Sequence, residues 1–329
     1  MAERLLDVVG IGNAIVDVLA NADDDLLVKQ GMAKGAMTLI DAARAEALYG
    51  VMGSAIEVSG GSAANTIAGL ASLGGRGCFM GKIGNDQLGG IFRHDIRANG
   101  VVFETASAKS ATPTARCLIF VTPDAQRTLN TYLGACIEFG PEDVDASLVA
   151  HAKVTYLEGY LWDPPAAKAA FLKAAKVAHD AGRKVALSLS DAFCVDRHRA
   201  EFRELVRDHV DILFANEAEI RSLWQVESFD QALQATRGHC EVAALTRSAR
   251  GSVILAGEEV HIVDAQHVDR VVDTTGAGDL YAAGFLYGFT GGREPYDCGR
   301  IASIAAAEAI SHFGARPETP LSELLLSKF

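Results

Sequence analysis

Apolar positions along this chain follow two rhythms, and the switch between them divides it. Leu5–Val9 is a short, mostly apolar run ending in Gly10-Ile-Gly12-Asn13, the pattern of a buried first strand. Alternation with period two resumes over Ile15–Leu19, the acidic stretch Asn21–Asp25 reads as a polar segment with a solvated turn at Asp23-Asp24-Asp25, and Ala36–Ile40 reads as a short strand. Ser62–Leu73 predicts a helix of small residues, Cys78–Ile83 a strand, and Asp86–Ala98 an amphipathic helix. Arg116–Val121 and Arg127–Tyr132 predict a hairpin joined through Thr122-Pro123-Asp124-Ala125.

From Val154 onward strands and helices alternate. Val154–Leu157, Val185–Leu189, Ile212–Phe214, Val242–Leu245 and Ser252–Leu255 read as strands, with helices over Ala166–Ala181 and Glu217–Trp224. Two longer helices follow, Ala277–Thr290 and Tyr296–Phe313. Repeated strand–helix units demand right-handed crossovers, so the expected fold is α/β, with a central mostly parallel β-sheet flanked by helices on both faces. The early hairpin-like strands interrupt that pattern and predict a small β-sheet lid from residues 14–41 and 102–135. Residues 1–13, 42–101 and 136–329 then form the large domain.

Composition narrows the function. A chain of 329 residues with 49% apolar content has room for one large domain and an appendage. A formal charge of −12 and no basic cluster argue against nucleic-acid binding. Cys78, Cys117, Cys136, Cys194, Cys240 and Cys298 show no metal-binding spacing and read as reduced thiols, which points to the cytoplasm. The N-terminal segment, with acidic residues on each side of a short apolar patch, is unlike a signal peptide. No apolar run approaches the ~20 residues of a membrane span.

Chemistry concentrates in Asp273-Thr274-Thr275-Gly276-Ala277-Gly278-Asp279, just where a long helix begins. Free backbone N–H groups at a helix start, with glycines admitting a ligand, make an anion site. Thr274 or Thr275 acting as a cap would explain one carboxylate but not the two glycines, where ordinary helix formers serve better. Asp279 is then a base beside bound phosphate. Ser59-Gly60-Gly61-Ser62-Ala63-Ala64-Asn65 offers either a tight turn with Ser62 as helix cap, or glycine backbone against a ligand with Asn65 binding a polyol. Gly10-Ile-Gly12 lacks the third glycine of a dinucleotide fingerprint, and GxxxxGK[ST] is absent.

These two glycine segments, with Asn216-Glu217-Ala218-Glu219 after a strand, resemble the signatures of the ribokinase/PfkB carbohydrate kinase family, in order and along essentially the whole chain. Gly12-Asn13-Ala14-Ile15-Val16-Asp17 and Leu187-Ser188-Leu189-Ser190-Asp191-Ala192-Phe193 are similar to segments of its adenosine kinase-like subgroup, the second only in part. The resemblance implies a ribokinase-like fold, with Asp279 as general base and Gly276, Ala277 and Gly278 as the anion hole for the transferring γ-phosphoryl. It implies Asn13, Asp17, Gly60, Gly61, Ser62 and Asn65 at the substrate, Asp17 accepting from a vicinal diol. Asn216, Thr246, Arg247, Gly251 and Gly278 would serve ATP, and Asn216 and Glu219 would organise Mg²⁺ through water. In Thr246–Gly251 a serine, Ser248, stands where the family's nucleotide loop has its first glycine, with Arg247 or Arg250 offered as compensation or as solvated surface charge. Asp273 and Thr275, with backbone from Ala307–Gly314, would hold K⁺.

The expected activity is ATP-dependent phosphorylation of a primary hydroxyl, the 5′-hydroxyl of adenosine first. A ribokinase- or fructokinase-type sugar kinase is the alternative. A non-catalytic nucleotide or sugar sensor is a third reading, against which Asp279 stands, since a sensor needs no base. Trp162, Phe193, Tyr132 and Phe139 are candidates to stack on a base or to fill the core, and His312 to contact ATP or lie on a surface helix. Expected partners are a nucleoside or sugar and ATP, without membrane or nucleic acid, and a monomer and a homodimer both stay open.

Overall fold

The computed structural model describes residues 5–124 and 126–329. Residues 1–4, with the N-terminal acidic flank, and Ala125 of the expected hairpin connection lie outside the described residues. In chain order the strands are β1 (Leu6–Ile11), β2 (Ile15–Asn21), β3 (Met37–Leu39), β4 (Ala55–Gly60), β5 (Gly77–Met80), β6 (Ala115–Val121), β7 (Arg127–Tyr132), β8 (Ala152–Glu158), β9 (Lys184–Ser188), β10 (Ile212–Asn216), β11 (Val242–Thr246), β12 (Ser252–Ala256) and β13 (Glu259–Val263). They form an eight-stranded sheet, ordered β13-β12-β11-β10-β9-β8-β1-β5, and a five-stranded sheet, ordered β3-β7-β6-β2-β4.

In the large sheet β5, β1, β8, β9, β10 and β11 are parallel, and β12 and β13 add an antiparallel edge. Burial on both faces explains the continuous apolar runs. In β10, Ile212 and Phe214 join one core while Leu213 and Ala215 join the other. The first core is closed by the helices Ser62–Ser72 and Ala277–Thr290, the second by Pro165–Asp180, Ala192–His209 and Glu217–Trp224. Fully burying one large apolar side chain contributes roughly 1.5–3 kcal/mol, so Phe171 and Phe202 alone tie two of these helices firmly to the sheet.

The small sheet is assembled around β2, which pairs parallel with β6 and antiparallel with β4. Strand β4 falls inside the stretch 42–101 expected in the large domain, and the structure corrects that placement. Its Ile56 stands 69% exposed on an edge, so burial supplied no clean alternation to mark it as a strand. The helix Ala42–Tyr49 also sits on this sheet. Its Glu46 pairs with Arg116 of β6, whose guanidinium lies 5.8 Å from the Tyr49 ring.

Two other expectations change, and one helix was not foreseen. Asp23 does not sit in a simple turn: its side chain caps the helix Asp24–Lys29, accepting the Leu26 N–H at 2.7 Å. The helix Ala192–His209 was masked by its charge and by a break at His198, though Val195, Phe202, Leu205 and Val206 are buried along it. The last long helix spans Pro295–Ala309, so the segment from Ile310 to Pro320 is free to turn back toward the sheet ends. Among the described residues no helix is long and apolar enough to cross a membrane.

Candidate active site

Parallel strands end at one edge of the large sheet, and the lid sheet arches over it. Between them lies a cleft of about 720 Å³. Its floor uses residues at strand ends, including Glu158 of β8, Ser188 of β9, Asn216 of β10 and Thr246 of β11. Such a crevice is where open α/β sheets bind ligands. Its roof is one face of the lid: alternate residues Ile15 and Asp17 of β2, Cys117 and Ile119 of β6, Leu129 and Thr131 of β7.

The helix Ala277–Thr290 points its first turn into this cleft, with Gly276 as N-cap at φ +78°. A side chain at Gly276 would strike Ala315, a Cβ lying 2.6 Å from the Ala315 Cβ, whereas a Cβ at Gly278 would meet nothing. Gly278 therefore leaves open room for a ligand. Among the described residues the backbone N–H groups of Gly276 and Gly278 have no protein partner, while that of Ala277 donates to the Thr274 carbonyl at 3.2 Å. Of the three residues expected to supply amides, Ala277 has its N–H taken up in closing the turn.

Asp279 is held from the other glycine segment. Ser62 Oγ donates to its Oδ1 at 2.7 Å and Asn65 Nδ2 to its Oδ2 at 2.9 Å. Ser62 is thus not the helix cap, a position taken by Gly61 at φ +98° with no side-chain cap. Burial raises the Asp279 carboxyl above the usual range, opposed by Asn65, Ser62 and the charge of Arg316. Asp17 faces the same space with no hydrogen-bond partner among the described residues. Burial pushes it up to about 7 against the charges of Arg316 and Arg127. Gly60 lies outside the cleft lining yet makes Asp17 possible, since a Cβ there would sit 2.4 Å from Asp17 Oδ2. Asn13 gives both its N–H and its Nδ2 to Glu158 Oε1, at 3.2 and 2.7 Å. Glu158 also accepts the Ala63 N–H at 2.8 Å, and burial pushes it up to about 7.

A family model described as pfkB family carbohydrate kinase matches residues 37–321. The chain belongs to the pfkB family of carbohydrate kinases. It is a kinase with the ribokinase-like fold. An adenosine kinase from Sinorhizobium meliloti is 53% identical at TM-score 0.92, over 99% of this chain and 100% of that one. A probable sugar kinase from Rhizobium etli CFN 42 is 54% identical at TM-score 0.92, over 98% of each chain. The adenosine kinase of Saccharomyces cerevisiae is 24% identical, over 97% of this chain and 98% of that protein.

In this pfkB kinase Asn216 and Glu219 bind each other. The Asn216 N–H donates to Glu219 Oε2 at 2.9 Å, Asn216 Nδ2 donates to Oε1, and the Glu219 N–H returns to Asn216 Oδ1 at 2.9 Å. Burial pushes Glu219 up to about 7. This capping box lines the cleft, and no group of three or more His, Cys, Asp or Glu able to hold a metal occurs among the described residues. The pair fits magnesium only through water, as expected for an ion carried on phosphates.

The K⁺ site does not fit. Asp273 Oδ1 accepts from the Thr275 N–H at 3.0 Å and its Oγ1 at 2.8 Å, while Oδ2 accepts the Gly314 N–H at 3.0 Å and forms an ion pair with the Arg127 guanidinium, 2.8 Å away. A side-chain cation from the lid already occupies that carboxylate.

Thr246 lines the cleft, but Arg247 does not: its guanidinium lies 4.1 Å from the Phe229 ring centre and beside Glu217. Arg250 also pairs with Glu217, so neither arginine turns toward the cleft. Ser248 adopts φ +54°, the backbone conformation that a glycine would favour there. Gly251 lies outside the cleft lining, tight against the Val263 carbonyl. His312 contacts Glu308 and the Phe313 carbonyl, not the cleft. Of the four aromatic candidates only Phe193 lines the cleft, at 78% exposure; Trp162 and Phe139 are core, and Tyr132 is outside the lining. Glu158, Tyr160, Arg127 and Arg316 were not legible beforehand. Each is a lone residue in an unremarkable segment, without a spacing to mark it.

Proposed function

We propose that this kinase transfers the γ-phosphoryl of ATP to the 5′-hydroxyl of adenosine, giving AMP. The observation that carries the reading is the Asp17 carboxylate, which faces the cleft with no hydrogen-bond partner among the described residues. A carboxylate has lone pairs enough to accept both hydroxyls of a vicinal diol. Apart from Cys117 and Thr131, the rest of the roof is apolar (Ile15, Met37, Leu39, Ile119, Leu129 and Leu133), which favours a flat base over the extra hydroxyls of a free sugar. The 53% identical adenosine kinase supports the same choice.

Asp279 accepts the hydroxyl proton as the oxygen attacks. Its raised proton affinity brings it nearer the operating pH, where a general base works best. The Gly276 and Gly278 amides face the charge that develops on the phosphoryl oxygens. Magnesium on the ATP phosphates would supply further neutralisation, with Glu219 and Asn216 reaching its waters and Thr246 lying beside the nucleotide. The lid excludes water, which limits wasteful hydrolysis.

An ADP-release assay against adenosine, inosine, guanosine, ribose and fructose tests the substrate. A signal with a free sugar and none with adenosine refutes it in favour of a sugar kinase. Asp279→Asn tests the chemistry: turnover should fall by about 10²–10⁴-fold while adenosine still binds. Unchanged turnover removes the base.

A further inference from the structure

Arg316 follows the loop that closes on the active-site turn. Gly314 donates its N–H to Asp273 Oδ2 at 3.0 Å, and Ala315 lies against Gly276, so the chain around residue 316 is fixed to the phosphoryl-binding turn. The Arg316 side chain then crosses to the other glycine segment, where Nη2 donates to Ser59 Oγ at 3.0 Å. Ser59 is itself set by Asp95, whose Oδ2 accepts its N–H at 2.8 Å and its Oγ at 2.6 Å. Arg316 Nε and Nη1 are shut off from solvent with no hydrogen-bond partner among the described residues. The guanidinium is therefore anchored by neutral contacts at one end and keeps its charge for its surroundings. Those surroundings are the carboxylates of Asp17, Asp95 and Asp279.

We propose that Arg316 is a positioning residue for phosphoryl transfer, joining the two glycine segments through Ser59 and setting its guanidinium beside the carboxylates of Asp17 and Asp279. The assignment rests on Asp279 as base and Asp17 as diol acceptor. The charge of Asp279 in turn raises the proton affinities of Asp17, Glu158, Tyr156 and Tyr160. Asp17 faces Cys117 and the cationic Arg127 in addition. Arg316 is the cation that reaches both carboxylates. Burial draws its own proton affinity down, to about 10, which leaves it charged throughout the working range.

The test is carboxylate-carbon NMR titration of aspartate-labelled full-length protein, with Asp279→Asn and Asp17→Asn identifying the two signals. Arg316→Gln keeps a donor for Ser59 but deletes the charge. Both midpoints should rise by about one pH unit or more, and the acid limb of kcat/KM should move up with that of Asp279. Arg316→Lys should hold both within about half a unit of wild type. Unmoved midpoints in a folded Arg316→Gln protein, with activity reduced equally at every pH, would overturn the proposal and leave a purely structural contact. If Arg316→Gln does not fold, Arg316→Lys carries the test, and a rise of about one unit in that folded variant overturns it. The titration needs no turnover, so it still reports on Arg316 if none of the five acceptors is phosphorylated and the adenosine reading fails.

Discussion

Asn65 Nδ2 donates to Asp279 Oδ2 at 2.9 Å, while the same asparagine's Oδ1 is buried without a partner among the described residues. One half of the amide holds Asp279 and the other half awaits a donor. A buried acceptor left unsatisfied costs free energy that a ligand hydroxyl would recover on binding. Asn65→Leu should lower kcat/KM by about 10–100-fold, the range for one hydrogen bond to a charged group. Because the lost bond favours the charged carboxylate, the acid limb of the pH profile should also move upward. A profile with its limb in place would show that Asn65 serves the substrate alone.

Asp17→Asn should raise KM for the acceptor far more than it lowers kcat. Two hydroxyl bonds to a charge amount to roughly 10²–10⁴-fold in affinity, and they are made in both ground and transition states. Initial-rate kinetics with varied acceptor separate the two constants, and an unchanged KM would place the diol elsewhere.

The same carboxylate should weaken the unliganded protein. Its folded proton affinity, about 7, lies above the unfolded value of 3.8, so its favourable contribution is complete below the unfolded value and is lost as pH rises to 7. Wild-type Tm should therefore fall across that window, and Asp17→Asn should lose less and melt higher at pH 8. Parallel melting curves for the two proteins contradict this.

Arg127 on Asp273 predicts that catalysis does not depend on K⁺. Rates in KCl and in tetramethylammonium chloride at equal ionic strength should agree within about twofold, a difference no larger than ordinary screening produces. Arg127→Met exposes the carboxylate and should slow the enzyme under both salts. A several-fold activation of the wild type by K⁺ would mean that the arginine yields its place.

The parallel sheet was readable because strands such as β10 are buried on both faces and carry unbroken apolar runs. The helix Ala277–Thr290 was readable to the residue, since its glycine-rich start interrupts an otherwise apolar stretch. Strand β4 was not: an edge strand with Ile56 exposed obeys no burial rule. Glycine segments likewise pointed to Asp279 and the two side chains that hold it, whereas Arg127, Arg316 and Glu158 make contacts across 100 residues or more in most cases, which no local pattern encodes. Arg247 shows the converse, a residue in the right segment turned aside by an aromatic ring and an acid.

The aliphatic face of the roof has a practical reach beyond this reaction. Met37, Leu39 and Leu129 line the cleft from β3 and β7, across β6 from the strand that carries Asp17, the proposed diol acceptor. Acceptor preference can therefore be redesigned there by trading bulk for polarity, leaving the transfer machinery untouched. Position 60 is the opposite case. Any side chain would collide with Asp17, so directed evolution should hold it fixed while the roof is randomised.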